Sequence, residues 1–579
     1  MGIETNSVYG YAGNHAGNGE NSTDPDLPSK KRKSRTLLAT TSAAMLSVAL
    51  ASGASAQTVP TGCDPSTAIN GSAIICVVAS PDTIDPIETN VDDLTITIGD
   101  DTTPTTVNDD TVPANAAIEM VGGGAQTLNI INSGSNVTGS TDAIKVEITG
   151  GTGDLAVNVA GSINAGDDGL DIDNAGFGST VVSVASVYAT SDDGIDIDTD
   201  LDSGDVRVGA TGHVDGGDEG IDIFNYGYGS VTVTTAQVTG RDGDGIFVYS
   251  YGDGDIAIDS TGGTVSGDND GISASSDFGG DVSISAASVT GENRIGIYGY
   301  SWGGSISITS LTGAINGGEV GIFADAEGPA GGDISIETGG NVSGGEAGIV
   351  AFGFGAINID ANAVSNSDAN GRDGIYAKTE DGAGDITISA NQVTSRQYGI
   401  QSYQYGTGSN SVTVGTVSTT LDDGIYALND TEAGDLTVTA TGLVTAGDDG
   451  FEIRNNGIGA TGIYADAISA IDDGIEIDTA ATTTSVTVVT SGDIAGEAGD
   501  GIDVNHLGTG AVAVTVANVT GGDTGIRTVA ATGTTTITLG STAVVTGRSG
   551  AGIDASSTGA LAAITVQGSS GDVIGATDG

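Results

Sequence analysis

Apolar and polar residues alternate with period two in short runs along most of the chain, and the runs return at a fixed interval. Gly194-Ile195-Asp196-Ile197-Asp198 leads through a Gly-rich turn to Gly204-Asp205-Val206-Arg207-Val208, and each unit ends on a briefer run of the type Ala236-Gln237-Val238-Thr239-Gly240. A period of two places alternate side chains on opposite faces of a strand, so one face of each run is buried. The middle run is the cleanest, with inward pairs Val231/Val233, Ile256/Ile258, Val282/Ile284, Ile306/Ile308, Ile334/Ile336, Ile386/Ile388 and Val486/Val488. These are the β-branched residues that pleated strands favour. A Gly-hydrophobic step opens the first run every 24–27 residues, in sixteen copies from Gly169 to Gly552, with a weaker one at Ala143-Ile144. An acidic pair precedes many copies, as in Asp167-Asp168-Gly169, Asp192-Asp193-Gly194 and Asp218-Glu219-Gly220.

A fixed period of this length predicts a solenoid, in which each unit buries its apolar face only against its neighbours. Three short strands per unit specify an all-β, single-stranded parallel β-helix with about 25 residues per coil and 16–17 coils. Coils stacked about 4.8 Å apart would form a rod of roughly 80 Å, and right-handed winding is the default for parallel crossovers. The acidic corner reads as turn chemistry, with Asp capping its own backbone and Gly taking a positive φ. The chain divides into a disordered, Gly/Asn-rich leader (1–29), a signal peptide (30–56), an N-terminal cap region (57–140) and the β-helix repeats (141–579). The signal assignment rests on the basic cluster from Lys30 to Arg35, the apolar stretch 36–50 and the small-residue site Ala54-Ser55-Ala56. Export would let Cys63 and Cys76 form a disulfide that staples the first coil.

Composition narrows the classes. The 97 glycines do not fall at every third position and only 9 prolines accompany them, which excludes collagen. There are 76 acidic against 15 basic residues, a net charge of −61. Such a surface repels nucleic acid and anionic lipid and attracts cations.

The signal segment, the scarcity of Cys and the acidic Gly/Ser/Thr-rich strands of the Gly-Ile-x-Ile and Gly-Asp-Ile-x-Ile types resemble the passenger domain of bacterial autotransporters, over roughly Gln57–Gly579. The resemblance implies an exported β-helical adhesin or surface protein of a Gram-negative bacterium, with glycans or surface proteins as partners. It also implies an outer-membrane barrel in a full-length form. A barrel would show alternating strands with aromatic girdles, and no aromatic residue follows Tyr464. The C-terminus also lacks a cap signal. The expectation is therefore a truncated passenger or a secreted relative exported by another route.

Three kinds of chemistry come into consideration. A polysaccharide-cleaving β-helix enzyme would need a singular carboxylate pair. Gly166-Asp167-Asp168 and Gly447-Asp448-Asp449 resemble the Gly-Asp-Asp element of polygalacturonases, but the pair recurs in coil after coil and the partner motifs are absent. No catalytic residue and no required cofactor are assigned. Asp171, Asp196 and Asp222 share one outward position in consecutive coils, as do Asp173 and Asp198, and Glu452, Glu476 and Asp503 repeat the arrangement. Stacked like charges need screening or a bridging cation, which makes Ca²⁺ the candidate ion. The aromatic residues recur as well. Counted from the repeat glycine, position four holds Tyr249, Tyr300, Phe352 and Tyr403, and position six holds Tyr226, Tyr251, Trp302, Phe354 and Tyr405, with Tyr228 beside them. They predict an aromatic stripe along one edge, suited to sugar rings or a protein partner. An outward hydroxyl column (Thr232, Ser283, Ser307, Ser335, Thr387, Thr413, Thr437, Thr487, Thr538) is interrupted by Arg207, Ala257, Asn358 and Ala513, and solvated β-formers account for it.

Overall fold

The computed structural model describes residues 57–58, 70–71, 73–76, 83–84, 86–99, 104–108, 116–328, 331–369, 371–382, 384–559, 563–568 and 571–576. The leader, the signal segment and Cys63 lie outside the described residues, and the expected disulfide with them. Among the described residues there is no helix; the chain is a parallel β-solenoid of about 18 turns with about 26 residues each.

Each coil contributes to two sheets. The strands at the repeat glycine, with three equivalents before Gly169, run from Ile87–Asn90 to Ile553–Ser557 and form one parallel sheet of nineteen strands among the described residues. Each pairs only with its counterparts one coil before and one coil after, as Ile195–Thr199 does with Leu170–Asn174 and Ile221–Asn225. The remaining segments form the second sheet. In many coils they are one long strand rather than two. Val206–Gly216, for example, runs through with a register shift between Ala210 and His213. The shift is a β-bulge: an extra residue bends the strand without ending it, so the expected second and third segments fuse around the corner. The number of turns exceeds the expected 16–17 because the stretch before residue 141 supplies coils of its own. Ile118–Gly122 stacks in register on Ile144–Ile148, and Ile87–Asn90 stacks on Ile118–Gly122. At the other end, Val566 and Val573 are 49% and 47% exposed, whereas their register counterparts Ile537 and Val545 are fully buried.

The interior is a continuous column of Ile, Val and Leu; every inward pair expected from the alternation is buried. The sequence pattern did not flag a second interior column, four residues after the first inward residue of the first-sheet strands, which is polar and buried in many coils. It includes Asn174, Thr199, Asn225, Ser250, Thr379, Gln404, Asn455 and His506. These side chains close the following turn. Asn455 accepts from the Gly457 N–H at 2.9 Å and donates to Thr461 Oγ1 at 2.9 Å. Asn225 accepts from Gly227 N–H and Thr199 Oγ1 and donates to the Gly229 carbonyl. A buried amide with its partners in place fixes the turn and with it the register.

The corner glycines from Gly169 onward do not take positive φ, contrary to the turn reading; positive φ falls on others, such as Gly279 and Gly303 (101° each). The corner positions need glycine for space. A methyl group on Gly245 would stand 2.6 Å from both the Gly271 carbonyl oxygen and Val265 Cγ1. Gly245→Ala should therefore destabilise the rod by about 1–3 kcal/mol, as overpacked cores do. Gly209→Ala, where the nearest atom lies at 3.8 Å, should be neutral or slightly stabilising. Urea unfolding of both variants checks the contrast, and equal midpoints would remove the steric explanation.

Candidate functional site

In many corners the second acid, an Asp, reaches beyond its own turn. Its carboxylate accepts the backbone N–H of the same position one coil on: Asp168 from Asp193 at 2.9 Å, Asp193 from Glu219 at 2.9 Å, Asp244 from Asp270 at 2.9 Å and Asp449 from Asp473 at 2.8 Å. The Asp of the Gly-Asp step before the second sheet forms a parallel ladder, with Asp205 accepting from Ser230, Asp255 from Asp281 and Asp435 from Ala460. Much of the repeated acid is thus spent on binding one coil to the next.

The corner ladder is also where carboxylates crowd. Asp193, Asp196 and Asp222 bring an oxygen each within 4.8 Å of one another, as do Asp168, Asp192 and Asp193, and Asp423, Asp449 and Glu452. The candidate metal ligands therefore divide. Asp196 and Asp222 converge on Asp193, whereas Asp171 is paired with Lys145. Asp173 and Asp198 stand in the neighbouring outward column, between Glu147 and Phe224. Asp193 was not singled out in the sequence for this role; its place beside the outward column becomes visible only once the corner is folded.

The outward face of the first sheet carries two columns, the second and fourth residues of each strand. Acid fills both near Asp171–Asp222, aromatic rings enter every coil from Phe224 to Tyr426 except the one with Ser273 and Ser275, and acid returns at Glu452, Glu476 and Asp503. The rings form two clusters. In the first, Phe224, Tyr226, Phe247, Tyr249, Tyr251 and Phe278 pack with centroids 4.6–6.4 Å apart. In the second, Tyr298, Phe323, Phe352, Tyr376, Tyr403 and Tyr426 run in sequence along the axis at 5.3–5.8 Å. The structure thus brings together most of the expected stripe and adds Phe224, Phe247, Tyr298, Phe323, Tyr376 and Tyr426. Phe224 extends the position-four column by one coil, and Phe247, Tyr298, Phe323, Tyr376 and Tyr426 stand at position two, which shares a face with position four.

Exposure grades across the face. Phe323 is 4% exposed, Tyr300, Phe352, Phe354, Tyr403 and Tyr405 are half-buried, and the rim holds Tyr226, Tyr251 and Trp302 at 37–41%, with Tyr228 at 60%. Carboxylates stand among the rings. The Tyr249 hydroxyl donates to Asp277, and that of Tyr300 to Glu327 at 3.4 Å. Burial, then the nearby acids, pushes the Tyr300 hydroxyl above its ordinary range.

Two histidines, neither of them a candidate by its sequence neighbours, lie apart from this face. His213 is half-buried and contacts Thr239 Oγ1 at 3.1 Å, while His506 lies inside the rod, its Nδ1 2.7 Å from Thr479 Oγ1. The hydroxyl face is two columns wide rather than one. Register assigns Ser411 and Thr536 to the column of Thr437, and places Thr413 and Thr538 in the column of Thr439.

No protein-family model matches the chain, and neither a curated protein nor a solved structure does.

Burial, followed by repulsion from neighbouring carboxylates, raises the corner acids: Asp168 to about 8, Asp244 and Asp449 to about 7 and Asp473 to about 6, from an ordinary 3.8. A group that binds its proton more tightly folded than unfolded stabilises the fold below its unfolded pKa. That stabilisation is lost as pH rises through the folded value. The melting temperature should therefore fall from about pH 5 to about pH 8 in dilute salt, without added divalent ions. Thermal unfolding followed by circular dichroism tests this; a melting temperature that rises over the interval would contradict the assigned direction.

Proposed function

We propose that the chain is the exported rod of an autotransporter-like cell-surface adhesin that makes contact through the aromatic face of its first sheet. The observation that supports this most is the substitution of rings for acids along one outward face, coil after coil, on a chain whose net charge is −61. Aromatic side chains with half-exposed edges and polar tips suit sugars and protein surfaces. A long row of similar contacts lets weak binding accumulate through avidity. Glycans or surface proteins are the partners in this reading; nucleic acid is not, because the acidic surface repels it. The localisation is the cell surface or the medium, with an outer-membrane barrel in a full-length form. The reading is non-enzymatic. Polysaccharide cleavage is the weaker alternative, because corner acids that repeat as backbone acceptors leave no singular pair for it.

A purely structural surface or matrix protein is favoured by one specific observation: the rings also pack on each other, with Phe323 almost wholly covered. The two readings separate on a variant carrying Tyr251→Ala, Trp302→Ala and Tyr405→Ala. On a glycan array and in a cell-attachment assay, the adhesin reading expects binding by the parent and its loss in an equally folded variant. A parent that attaches to nothing would leave the scaffold.

Ca²⁺ belongs to the same proposal as the ion that bridges the crowded acids around Asp193, Asp196 and Asp222. Millimolar Ca²⁺ should raise the melting temperature more than the same ionic strength of Na⁺. Equal shifts would reduce the effect to screening.

A further inference from the structure

The aromatic face has a repeat of its own, two coils long. From Gly245 onward, rings occupy positions four and six together in alternate coils: Tyr249/Tyr251, Tyr300/Trp302, Phe352/Phe354 and Tyr403/Tyr405; Phe224/Tyr226, one coil earlier, stands outside this alternation. In the coils between them, position six is Asp277, then Glu327, then Glu380. The column is held in register by the backbone. The N–H at position six bonds the carbonyl at position five of the preceding coil, as at Tyr251 to Asn225, Asp277 to Ser250 and Glu380 to Gly353, and Trp302 pairs directly with Glu327. The rim is thus a line of platforms separated by carboxylates, each unit roughly 9–10 Å long at two strand spacings.

Two further observations describe what fits between the platforms. In the adjoining column Asp325 lies in register between Tyr300 and Phe352 and is only 6% exposed, a carboxylate set among rings on the outward face. One coil beyond Phe352, the chain supplies an amine of its own. Lys378 Nζ pairs with Glu380 at 2.6 Å and lies 5.3 Å from the ring centre of Tyr405. Ring plus carboxylate is the combination that holds a desolvated ammonium group.

We infer that this rim binds an extended β-1,4-linked polymer of amino sugars laid along the rod. Such a polymer has a two-fold twist, so the same ring face and the same amine return once per disaccharide, a length close to two coils. Alternate sugars stack on the Tyr/Trp/Phe platforms and their ammonium groups meet Asp277 and Glu327, the positions equivalent to Glu380, where Lys378 already supplies the amine. Anionic glycans are excluded by the same carboxylates. The inference rests on the adhesin reading of this face and specifies its ligand.

The test is titration of the full chain with a chitosan hexamer and with cellohexaose, which shares the linkage and lacks the amine. The chitosan hexamer should bind at least about tenfold more tightly, with an affinity that falls as salt is added. A variant with Asp277→Asn and Glu327→Gln should lose that preference while keeping its melting temperature. Trp302→Ala should weaken both sugars, and Tyr464→Ala, on the second sheet, should change neither. Equal binding of the two hexamers, or a preference that survives the carboxylate variant, overturns the amino-sugar assignment. So does a parent that binds neither hexamer yet attaches elsewhere through Tyr251, Trp302 and Tyr405, an outcome that leaves the adhesin reading standing. Binding to neither hexamer together with no aromatic-dependent attachment removes both.

Discussion

In a parallel solenoid every side chain lies against its own counterpart one coil away. The pairing of Asp171 with Asp196 and Asp222, or of Tyr298 with Phe323, follows from the register and from nothing local. A residue type suited to a position is therefore repeated or replaced along a column, and each column behaves as a one-dimensional stack. β-Branched residues satisfy this rule without cost, since identical pleats interdigitate. Charged residues do not: two carboxylates at strand spacing repel, and burial makes the repulsion worse.

The molecule answers that repulsion in three ways. The corner acids turn one oxygen to the next coil's N–H, so a charge that would push two coils apart also holds them together. The outward acidic columns end on cations, Lys145 against Asp171 and Arg527 against Asp503. In the middle of the rod the acids are replaced by rings, which stack without electrostatic penalty. The raised pKa values of Asp168, Asp244 and Asp449 mark where the first answer is incomplete. Protons relieve what the backbone amides do not.

The architecture was legible because it rests on two short-range signals, the alternation within strands and the spacing between glycines. Inward Val231/Val233 and Ile386/Ile388 needed no structure to be placed. What escaped depended on register. The fifth strand position, with Asn225 and Asn455, reads as inward by the same alternation, yet polarity disguised it as a turn residue. The corner glycines looked like φ switches, whereas Gly245 is constrained by a neighbouring coil that sequence alone does not place in space. Likewise Ser411 and Thr413 are two residues apart in one coil, and only pairing assigns them to different columns. The candidate contact face was half legible for this reason: Tyr300 and Trp302 showed their recurrence from the glycine, whereas Tyr298 and Phe323 joined them only when the outward face was read as a whole.

Part of the fold's stability comes from rings that lie on the outside of the sheet. Phe323, packed between Tyr298 and Phe352, is buried as a core residue would be, although it lies on the outside of the sheet. Such a residue contributes apolar burial to the fold and supports its neighbours at fixed angles. In the other cluster Tyr251, at the rim, is held in the same way between Tyr226 and Phe278. A scaffold that needed rings only for stability would gain most by burying all of them. The gradient from covered Phe323 to exposed Trp302, with carboxylates set between the rim rings, instead leaves each outer ring packed on one side and open to solvent on the other.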